Sequence, residues 1–247
     1  MITSVNNELV KETVKLQKKK YRDKENKFLL EGFKSIEEAF NANVEIEYVF
    51  TTDKKRYAFL GDKVILASES VLKKISTTES APDAVAVAVK KVYTLEDLKD
   101  TKKVVLLENI KDLGNLGTIL RTSTAFCVDA VVLYGKDCAD LYNPKCVRSS
   151  VGNLWKIPVV YVQDIAMLQE IFGNFQRIAT LPRTTQYLKD IKVEESVLIM
   201  FGSEADGLSD ELVNFATQKV KIEMASNVES LNLSISCAVV LYKLLIN

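Results

Sequence analysis

The feature that most constrains the fold is a series of short apolar runs in the second half of the chain, separated by stretches with helical spacing. The apolar runs lie at 104–107, 130–133, 159–162, 177–180, 197–201 and 220–222. The helical stretches lie at 115–126, 144–151, 164–172 and 209–216, and a last one runs from about 232 to 245. Short continuous apolar runs are typical of strands that are covered on both faces. The alternation therefore predicts an α/β domain with a mostly parallel sheet and helices on both sides.

The first half of the chain alternates in the same way. Its predicted elements are a helix at 5–19, a strand, glycine turn and helix within 28–40, strands at 44–50, 64–66 and 84–89, and a helix at 68–75 that Ser68 caps. The charged stretch at 90–103 contains one short helix and predicts the domain boundary. We therefore expect an N-terminal α/β domain at 1–95 and a second domain at 96–247.

Composition excludes several classes of protein. Hydrophobic residues make up 47% of the chain and charged residues 27%, which is enough to build a packed core. No apolar run reaches the roughly 20 residues of a membrane span, and the N-terminus lacks the layout of a signal peptide. The four cysteines form no CxxC pair, which predicts reduced thiols in a cytoplasmic protein. The absence of histidine removes every histidine base and histidine-ligated metal, and no metal site is predicted.

Positive charge is concentrated in the stretch from Lys11 to Lys27, although the formal net charge of the chain is +0. Such a run suits attraction to a phosphate backbone. It also suits a solvated, partly frayed helix, and charge alone favours that second interpretation.

In parallel α/β sheets ligands sit at the carboxyl ends of the strands, so the loops after the strands are the candidate ligand sites. The loop at 108–121 has Gly114 and Gly117, which permit close backbone approach to a ligand. Asn115 stands at a plausible helix N-cap, and Arg121 follows nearly two turns later. The stretch lacks the GxGxxG pattern of a dinucleotide site.

Two later loops share this character. In the loop at 201–209, Gly202 and Gly207 flank Glu204, and Ser209 then caps a helix. In the loop at 220–234, a strand ends and a helix begins near Asn232. Free backbone N–H groups at such a helix start can bind a ligand.

Together the three loops resemble the motifs of the SpoU (TrmH-type) RNA ribose 2′-O-methyltransferases. The patterns are NxGxxxRxxxAF from Asn115, GSExxGLS from Gly202 and ESLNxS from Glu229, in the family's order. Residues 141–152 and 157–159 resemble the family's linker between motifs, and 28–32 resembles its N-terminal L30-like RNA-binding domain. The resemblance implies an L30-like domain followed by a knotted α/β domain with a trefoil knot. It also implies a homodimer joined through the knot domain.

The resemblance further implies the ligand and the site residues. The cofactor is S-adenosylmethionine, held through backbone groups and apolar contacts. The implied cofactor-binding residues are Thr180, Leu181, Gly202, Ile222, Met224 and Leu231. The implied catalytic residues are Asn115, Arg121, Glu204, Ser230 and Asn232.

In the family, the arginine at the position of Arg121 is the proposed base or activator of the hydroxyl. Arginine is chemically poorly suited to act as a base, because its guanidinium stays protonated and only donates hydrogen bonds. Our hypothesis is that Arg121 clamps a phosphate and so lowers the pKa of the attacked hydroxyl. Glu204 is expected to orient Arg121 or Asn115.

The expected substrate is ribosomal RNA in preference to transfer RNA. Two alternatives remain open: a non-catalytic RNA-binding homologue, and a small-molecule methyltransferase on the same knot, such as a self-resistance enzyme acting on antibiotic-related RNA. The chain departs from the family pattern at Cys127, at Ala205 and Asp206, at Glu223, and at 80–83. Asp206 and Glu223 add negative charge near the expected pocket, but no implied catalytic side chain is missing.

Overall fold

The computed structural model describes residues 1–246, which form two compact units. The first unit comprises residues 1–91 and 140–155, and the second comprises 92–139 and 156–246. The predicted boundary after residue 95 lies close to the end of the first of these segments. Residues 140–155 pack with the first unit, however, so no single boundary along the chain separates the two units.

The strands are β1 Lys27–Glu31, β2 Ile46–Thr51, β3 Val64–Leu66, β4 Ala84–Val89, β5 Lys103–Glu108, β6 Ala130–Tyr134, β7 Val159–Val162, β8 Gln176–Thr180, β9 Gln186–Tyr187, β10 Val197–Phe201 and β11 Gln218–Lys221. The helices are α1 Glu8–Lys15, α2 Lys19–Glu25, α3 Phe33–Asn41, α4 Glu69–Ile75, α5 Leu113–Ala125, α6 Pro144–Ser150, α7 Ile165–Phe172, α8 Asp210–Phe215 and α9 Leu233–Leu245. Short 3-10 helices occupy Ala58–Lys63, Leu95–Leu98, Asn153–Trp155 and Leu188–Asp190.

The first unit is built on a four-stranded sheet in the order β1-β4-β2-β3. Strand β4 is antiparallel to β1 and β2, and β2 is parallel to β3. Helices α1 and α4 supply Val10, Leu72 and Ile75 to a core that includes Phe50 and Val85. Apolar side chains on both faces of β4 are buried, which agrees with its unbroken apolar sequence.

The predicted helix at 5–19 is two helices, and this corrects the sequence-based expectation. After α1 the chain makes tight turns, and α2 begins at Lys19. The freed carbonyl oxygens of Leu16 and Gln17 each accept a hydrogen bond of 2.8 Å from the Arg22 guanidinium. The break is therefore stabilised by a side chain that a helical pattern does not reveal. The predicted cap of α4 by Ser68 is confirmed.

Side-chain contacts explain why residues 140–155 belong to the first unit. Arg22 is only 1% exposed and pairs with the Asp140 carboxylate. The ring of Phe28 lies 4.9 Å from that of Tyr142 and 5.3 Å from that of Trp155. This insertion therefore completes the core beside β1.

The structure favours the solvated-helix interpretation of the basic stretch from Lys11 to Lys27. Arg22 is buried, and most of the lysines are paired with carboxylates. The pairs are Lys11 with Glu8, Lys19 with Asp23, Lys24 with Glu25 and Lys27 with Glu47. Within residues 1–246, the side chains of Lys15, Lys18 and Lys20 are those of the stretch that have no hydrogen-bonded or ionic partner.

The second unit is built on a seven-stranded sheet in the order β7-β6-β5-β10-β8-β11-β9. Every neighbouring pair of strands is parallel. The predicted parallel α/β architecture is confirmed. Strand β9 was not predicted, because a two-residue edge strand carries no periodicity.

The cysteines and the helices agree with a chain that has no disulfide bonds among its described residues and no membrane-spanning helix there. The four cysteines are free, and burial raises the pKa of Cys138 to about 11 and that of Cys146 to about 12, so both thiols stay protonated at neutral pH. Within residues 1–246, no helix combines the length and the apolar character that crossing a membrane requires.

Candidate active site

The sheet of the second unit brings the three motif loops to one edge. Strands β5, β10, β8 and β11 are consecutive neighbours and all parallel, so their carboxyl ends lie side by side. The loops at 109–112, 202–209 and 222–232 leave from these ends. Parallel pairing alone therefore gathers segments that are far apart in sequence.

A relay of hydrogen bonds joins the three loops through Asn115, Glu204 and Asn232. The Nδ2 of Asn232 donates to the Oδ1 of Asn115 at 3.1 Å, and the Nδ2 of Asn115 donates to the Glu204 Oε1 at 2.9 Å. The partners are 117 and 89 residues apart in sequence. Each asparagine is used once as donor and at least once as acceptor, so the relay runs in one direction and ends on a carboxylate.

Asn232 has a second task that fixes its orientation. Its Oδ1 caps α9, accepting from the Ser234 N–H at 2.9 Å and the Ile235 N–H at 3.3 Å. The Ser234 hydroxyl donates to the same oxygen at 2.6 Å. Because Oδ1 is committed to the helix, the amide nitrogen faces Asn115. The predicted start of the last helix near Asn232 is confirmed.

Asn115 is not the cap of its helix, and this corrects the prediction. The N-cap of α5 is Asp112, whose Oδ1 accepts from the Asn115 N–H at 2.7 Å. Asn115 is the third residue of α5, inside the first turn. Asp and Asn cap helices about equally well, so sequence did not distinguish the two positions. The consequence is functional, since the Asn115 amide is free to bridge the other two loops.

The turn that carries Glu204 depends on its two glycines. Ser203 and Gly207 exchange two main-chain hydrogen bonds of 3.1 Å, and Gly207 has a φ of +71°. A Cβ atom added to Gly202 would lie 1.9 Å from the carbonyl carbon of Gly207, so only glycine fits. The Ser203 hydroxyl also accepts from the Asp206 N–H at 3.0 Å. These bonds hold Glu204 at the tip of a closed turn.

Glu108 and Tyr134 support this turn and were not predicted as site residues. Glu108 ends β5, is 6% exposed, and accepts the Ser209 N–H at 2.7 Å at the start of α8. The Tyr134 hydroxyl donates to the Glu211 carboxylate. Burial, and then Glu211, raise the pKa of Tyr134, so its hydroxyl remains a donor. A carboxylate that ends an apolar strand was the available signal for Glu108.

The implied cofactor-binding residues lie at the ends of β8 and β10, in the loop that follows β11 and, for Leu231, directly before α9. The Thr180 hydroxyl donates to the Met200 carbonyl at 2.8 Å, and the Leu181 N–H donates to the Val220 carbonyl at 2.8 Å. Leu181, Ile222 and Met224 are half-buried, and Leu231 is 37% exposed. These apolar side chains are only partly buried, so part of their surface remains accessible to a ligand.

The main chain of the last loop supplies donors. Among the N–H groups of residues 223–231, that of Val228 is the one that donates to another group of residues 1–246, the Ala225 carbonyl at 3.0 Å. The remaining N–H groups of this segment are available. Half-exposed apolar side chains beside free main-chain donors form a set suited to a nucleoside.

Arg121 and Ser230 are not part of the relay. Arg121 is exposed on α5, and its guanidinium makes no hydrogen bond or ion pair within the described chain. Ser230 is exposed and has no hydrogen bond within residues 1–246. Of the two partners expected for Glu204, the structure shows Asn115 and not Arg121.

The two acidic residues that depart from the family pattern, Glu223 and Asp206, interact with neighbouring polar side chains. The Glu223 carboxylate pairs with Lys189 at 2.7 Å. The Asp206 carboxylate lies 3.4 Å from the Ser203 hydroxyl of its own turn. Neither is aimed at the relay.

Comparison with known proteins agrees with the motifs. The model of the SpoU rRNA methylase family matches residues 102–242, and that of the MRM3-like substrate binding domain matches residues 7–86. An uncharacterized tRNA/rRNA methyltransferase of Synechocystis is 34% identical, over 98% of this chain and 92% of its own. The 23S rRNA (guanosine(2553)-2′-O)-methyltransferase of Bacillus subtilis is 30% identical, over 98% of each chain.

Among solved structures, an AdoMet-bound rRNA methyltransferase from Sinorhizobium meliloti superposes with a TM-score of 0.88 at 26% identity. The match covers 98% of this chain and 95% of that one.

Proposed function

Because the chain belongs to the SpoU rRNA methylase family, we propose that it transfers a methyl group from S-adenosylmethionine to a ribose 2′-hydroxyl of RNA. The observation that carries the proposal is the relay from Asn232 through Asn115 to Glu204. It joins the three family motifs at the carboxyl edge of a parallel sheet.

The residues at this edge fit S-adenosylmethionine. Leu181, Ile222, Met224 and Leu231 offer apolar contact to the adenine, and the free N–H groups of 223–231 offer donors. Gly202 lets the main chain come close, and Thr180 holds the end of β8 to β10. When bound, S-adenosylmethionine supplies a methyl group that is activated by a positively charged sulfur.

The remaining task for the protein is to position the ribose hydroxyl and to ease the loss of its proton. A guanidinium only donates hydrogen bonds, so Arg121 is unsuited to accept that proton. Its unpaired, exposed guanidinium is suited to bind a substrate phosphate and to lower the pKa of the neighbouring hydroxyl by its charge. The proton then leaves to the phosphate or to water. Ser230 is exposed beside the start of α9, and we infer that its hydroxyl helps to position the ribose.

We infer that the substrate is ribosomal RNA in preference to transfer RNA. Support comes from the Bacillus subtilis relative, whose name specifies 23S rRNA, and from the name of the family itself. The match of residues 7–86 to a substrate-binding domain supports RNA binding by the N-terminal half. An RNA substrate and free cysteines support action in the cytoplasm.

The exposed face of α9 supports a homodimer. Ile235, Val239, Tyr242 and Ile246 are 53%, 39%, 51% and 49% exposed and follow helical spacing. The opposite face of α9 is buried in its own unit, so the helix is apolar all round. An exposed apolar stripe of this length is typical of an interface, and a second copy of the chain is the expected partner.

We also infer the trefoil knot. After β11, near one edge of the sheet, the chain returns to pack α9 beside α5, which follows β5 near the middle of the sheet. Such a return across the motif loops supports a knot in which the C-terminal segment of the chain passes through a loop.

The test of the function is methyl transfer by the purified full-length protein. We expect label from S-adenosylmethionine to enter large-subunit ribosomal RNA as a 2′-O-methyl group, and bulk transfer RNA to take up far less. R121K keeps the charge but loses the two-pronged guanidinium, and we expect its turnover to fall by about a hundredfold with cofactor binding unchanged.

Two outcomes would contradict the proposal. Binding of S-adenosylmethionine without transfer to any RNA would identify a non-catalytic homologue. Near-full turnover of R121K would remove the phosphate-clamp role of Arg121.

A further inference from the structure

The first unit carries aromatic rings at its surface, and two of them are exposed. Phe40 is 42% exposed and Phe59 is 37% exposed, and their ring centroids are 5.0 Å apart. Phe33 connects this pair to the interior, with its ring 6.2 Å from Phe59 and 5.5 Å from the buried Tyr57. Exposed apolar residues are common singly, but two exposed rings in contact, supported from beneath, form a platform.

Two rings beneath the platform, Phe33 and Tyr57, are held in place by contacts with charged side chains. The Arg56 guanidinium lies 4.3 Å from the centroid of Phe33 and pairs with Asp83 at 2.9 Å. The Tyr57 hydroxyl donates to the same carboxylate at 2.9 Å. Burial, and then Asp83, raise the pKa of Tyr57, so this hydroxyl keeps its proton. The Arg56 guanidinium is therefore paired with a carboxylate, and its contact with Phe33 holds that ring in place.

The neighbouring lysines have no such carboxylate partner. Lys54 and Lys55 are exposed and make no side-chain hydrogen bond or ion pair within residues 1–246. The Asp53 carboxylate between β2 and these lysines is turned to the main-chain N–H groups of Lys55 and Arg56, at 3.0 and 3.2 Å. The two ammonium groups thus remain available to a ligand.

A cavity of about 460 Å³ lies on the same segment of chain. It is lined by Lys54, Lys55, Ala58, Gly61 and Val64. Phe59 belongs to the 3-10 helix that contributes Ala58 and Gly61. The cavity is broadly open to solvent, so the two lysines that line it remain accessible.

We propose that Phe40, Phe59, Lys54 and Lys55, hereafter the aromatic–lysine platform, bind a single-stranded stretch of the substrate RNA. The proposal rests on the proposed function and assigns the substrate contact within the domain that matches a substrate-binding model. Exposed rings stack on unpaired bases, because the faces of bases inside a duplex are already covered. The unpaired lysines, on the same segment of chain as Phe59, then neutralise the backbone phosphates.

The basic stretch at 11–27 is the rival site for the same RNA, and the structure favours the platform over it. Most cations of that stretch are paired, and Arg22 is buried. No aromatic ring there is as exposed as Phe40 or Phe59.

The test measures binding of a short fluorescein-labelled RNA oligonucleotide without self-complementarity to the full-length protein, by fluorescence anisotropy. We expect F59A to weaken binding about tenfold, the effect of losing one stacked base. F59L keeps the apolar bulk but not the aromatic face, and it should weaken binding similarly. We expect K54A/K55A to reduce the slope of log K against log salt by about 1.4, since each phosphate contact on a single strand contributes about 0.7.

The matched control is K18A/K20A, which removes two unpaired lysines of the same unit and should leave affinity and salt slope unchanged. Thermal unfolding followed by circular dichroism checks that every variant is folded. A hairpin stem of the same length should bind F59A and the unaltered protein equally. The proposal is overturned if the unaltered protein does not bind the oligonucleotide, if F59A binds it as tightly, or if K18A/K20A lowers affinity as much as K54A/K55A.

Failure of this site and failure of the proposed function are distinguishable. Loss of oligonucleotide binding in F59A together with no methyl transfer by the unaltered protein supports the platform and overturns the enzyme. Methyl transfer by the unaltered protein together with full binding by F59A supports the enzyme and overturns the platform.

Discussion

At the scale of single residues, Asn232 has two roles that one substitution can separate. Its Oδ1 caps α9, while its Nδ2 donates to Asn115. An aspartate at this position keeps the cap but loses the donor. If the Asn115 amide flipped to restore that bond, its oxygen would face the Glu204 carboxylate. One link of the relay is lost in either case.

We therefore expect N232D to keep the thermal stability of the protein and to lose methyl transfer by on the order of a hundredfold, because the motif loops are no longer held in register. N232A removes the cap as well and should cost about 1 kcal/mol of stability. Thermal unfolding and initial methylation rates separate the two effects. A wild-type rate in N232D would show that the relay has no catalytic importance.

At the scale of elements, the pair of Arg22 and Asp140 joins α2 to the segment that precedes α6. The two side chains are 2% and 12% exposed, and Arg22 also satisfies two main-chain carbonyls. Removing one member of such a pair leaves the other charge without a partner in a water-poor environment. The contact is therefore expected to stabilise the whole first unit.

We expect R22A to lower the free energy of unfolding of the first unit by about 3–5 kcal/mol. K20A, an exposed and unpaired lysine of the same helix, is the matched control and should change it by less than about 0.5 kcal/mol. Urea titration followed by circular dichroism measures both. Equal stability of the two variants would mean that the pair of Arg22 and Asp140 does not stabilise the first unit.

At the scale of the whole molecule, α9 links the relay to the proposed dimer. Asn232 meets Asn115 at the first turns of α9 and α5, and Tyr242 meets Phe126 at their far ends, with ring centroids 5.9 Å apart. The two helices therefore run side by side in the same direction. The exposed stripe on α9 begins one turn from the residue that anchors the relay, so a partner covering it would also stabilise the site.

We expect the protein to elute with twice the mass of one chain, and V239D to elute as a monomer, because a carboxylate in an apolar interface is costly to desolvate. M167D is the matched control, since Met167 is also an apolar side chain on a helix of the second unit and is 46% exposed. It should remain dimeric. Size-exclusion chromatography with light scattering measures the masses, and a dimeric V239D would place the interface elsewhere.

The strands of the second unit were predictable because the central apolar runs form strands that are buried on both faces, as β5, β6 and β10 are. The residues of the relay were also named from their motifs. What the motifs did not contain is which side chain contacts which: Asp112 rather than Asn115 caps α5, and Glu204 binds Asn115 rather than Arg121. Strand β9 and the break before α2 were missed, because neither leaves a periodic pattern in the sequence.

The sequence by itself determined the α/β class, the order of the strands along the chain and the three motif loops, since these depend on local hydrophobic pattern and on turn residues. Only the tertiary structure decided the partners of each polar side chain, the membership of residues 140–155 in the first unit and the burial of Arg22 in a basic stretch. The physical reason is that these features depend on contacts between residues distant along the chain. Sheet order and packing bring such residues together, and local sequence does not encode the geometry of their meeting.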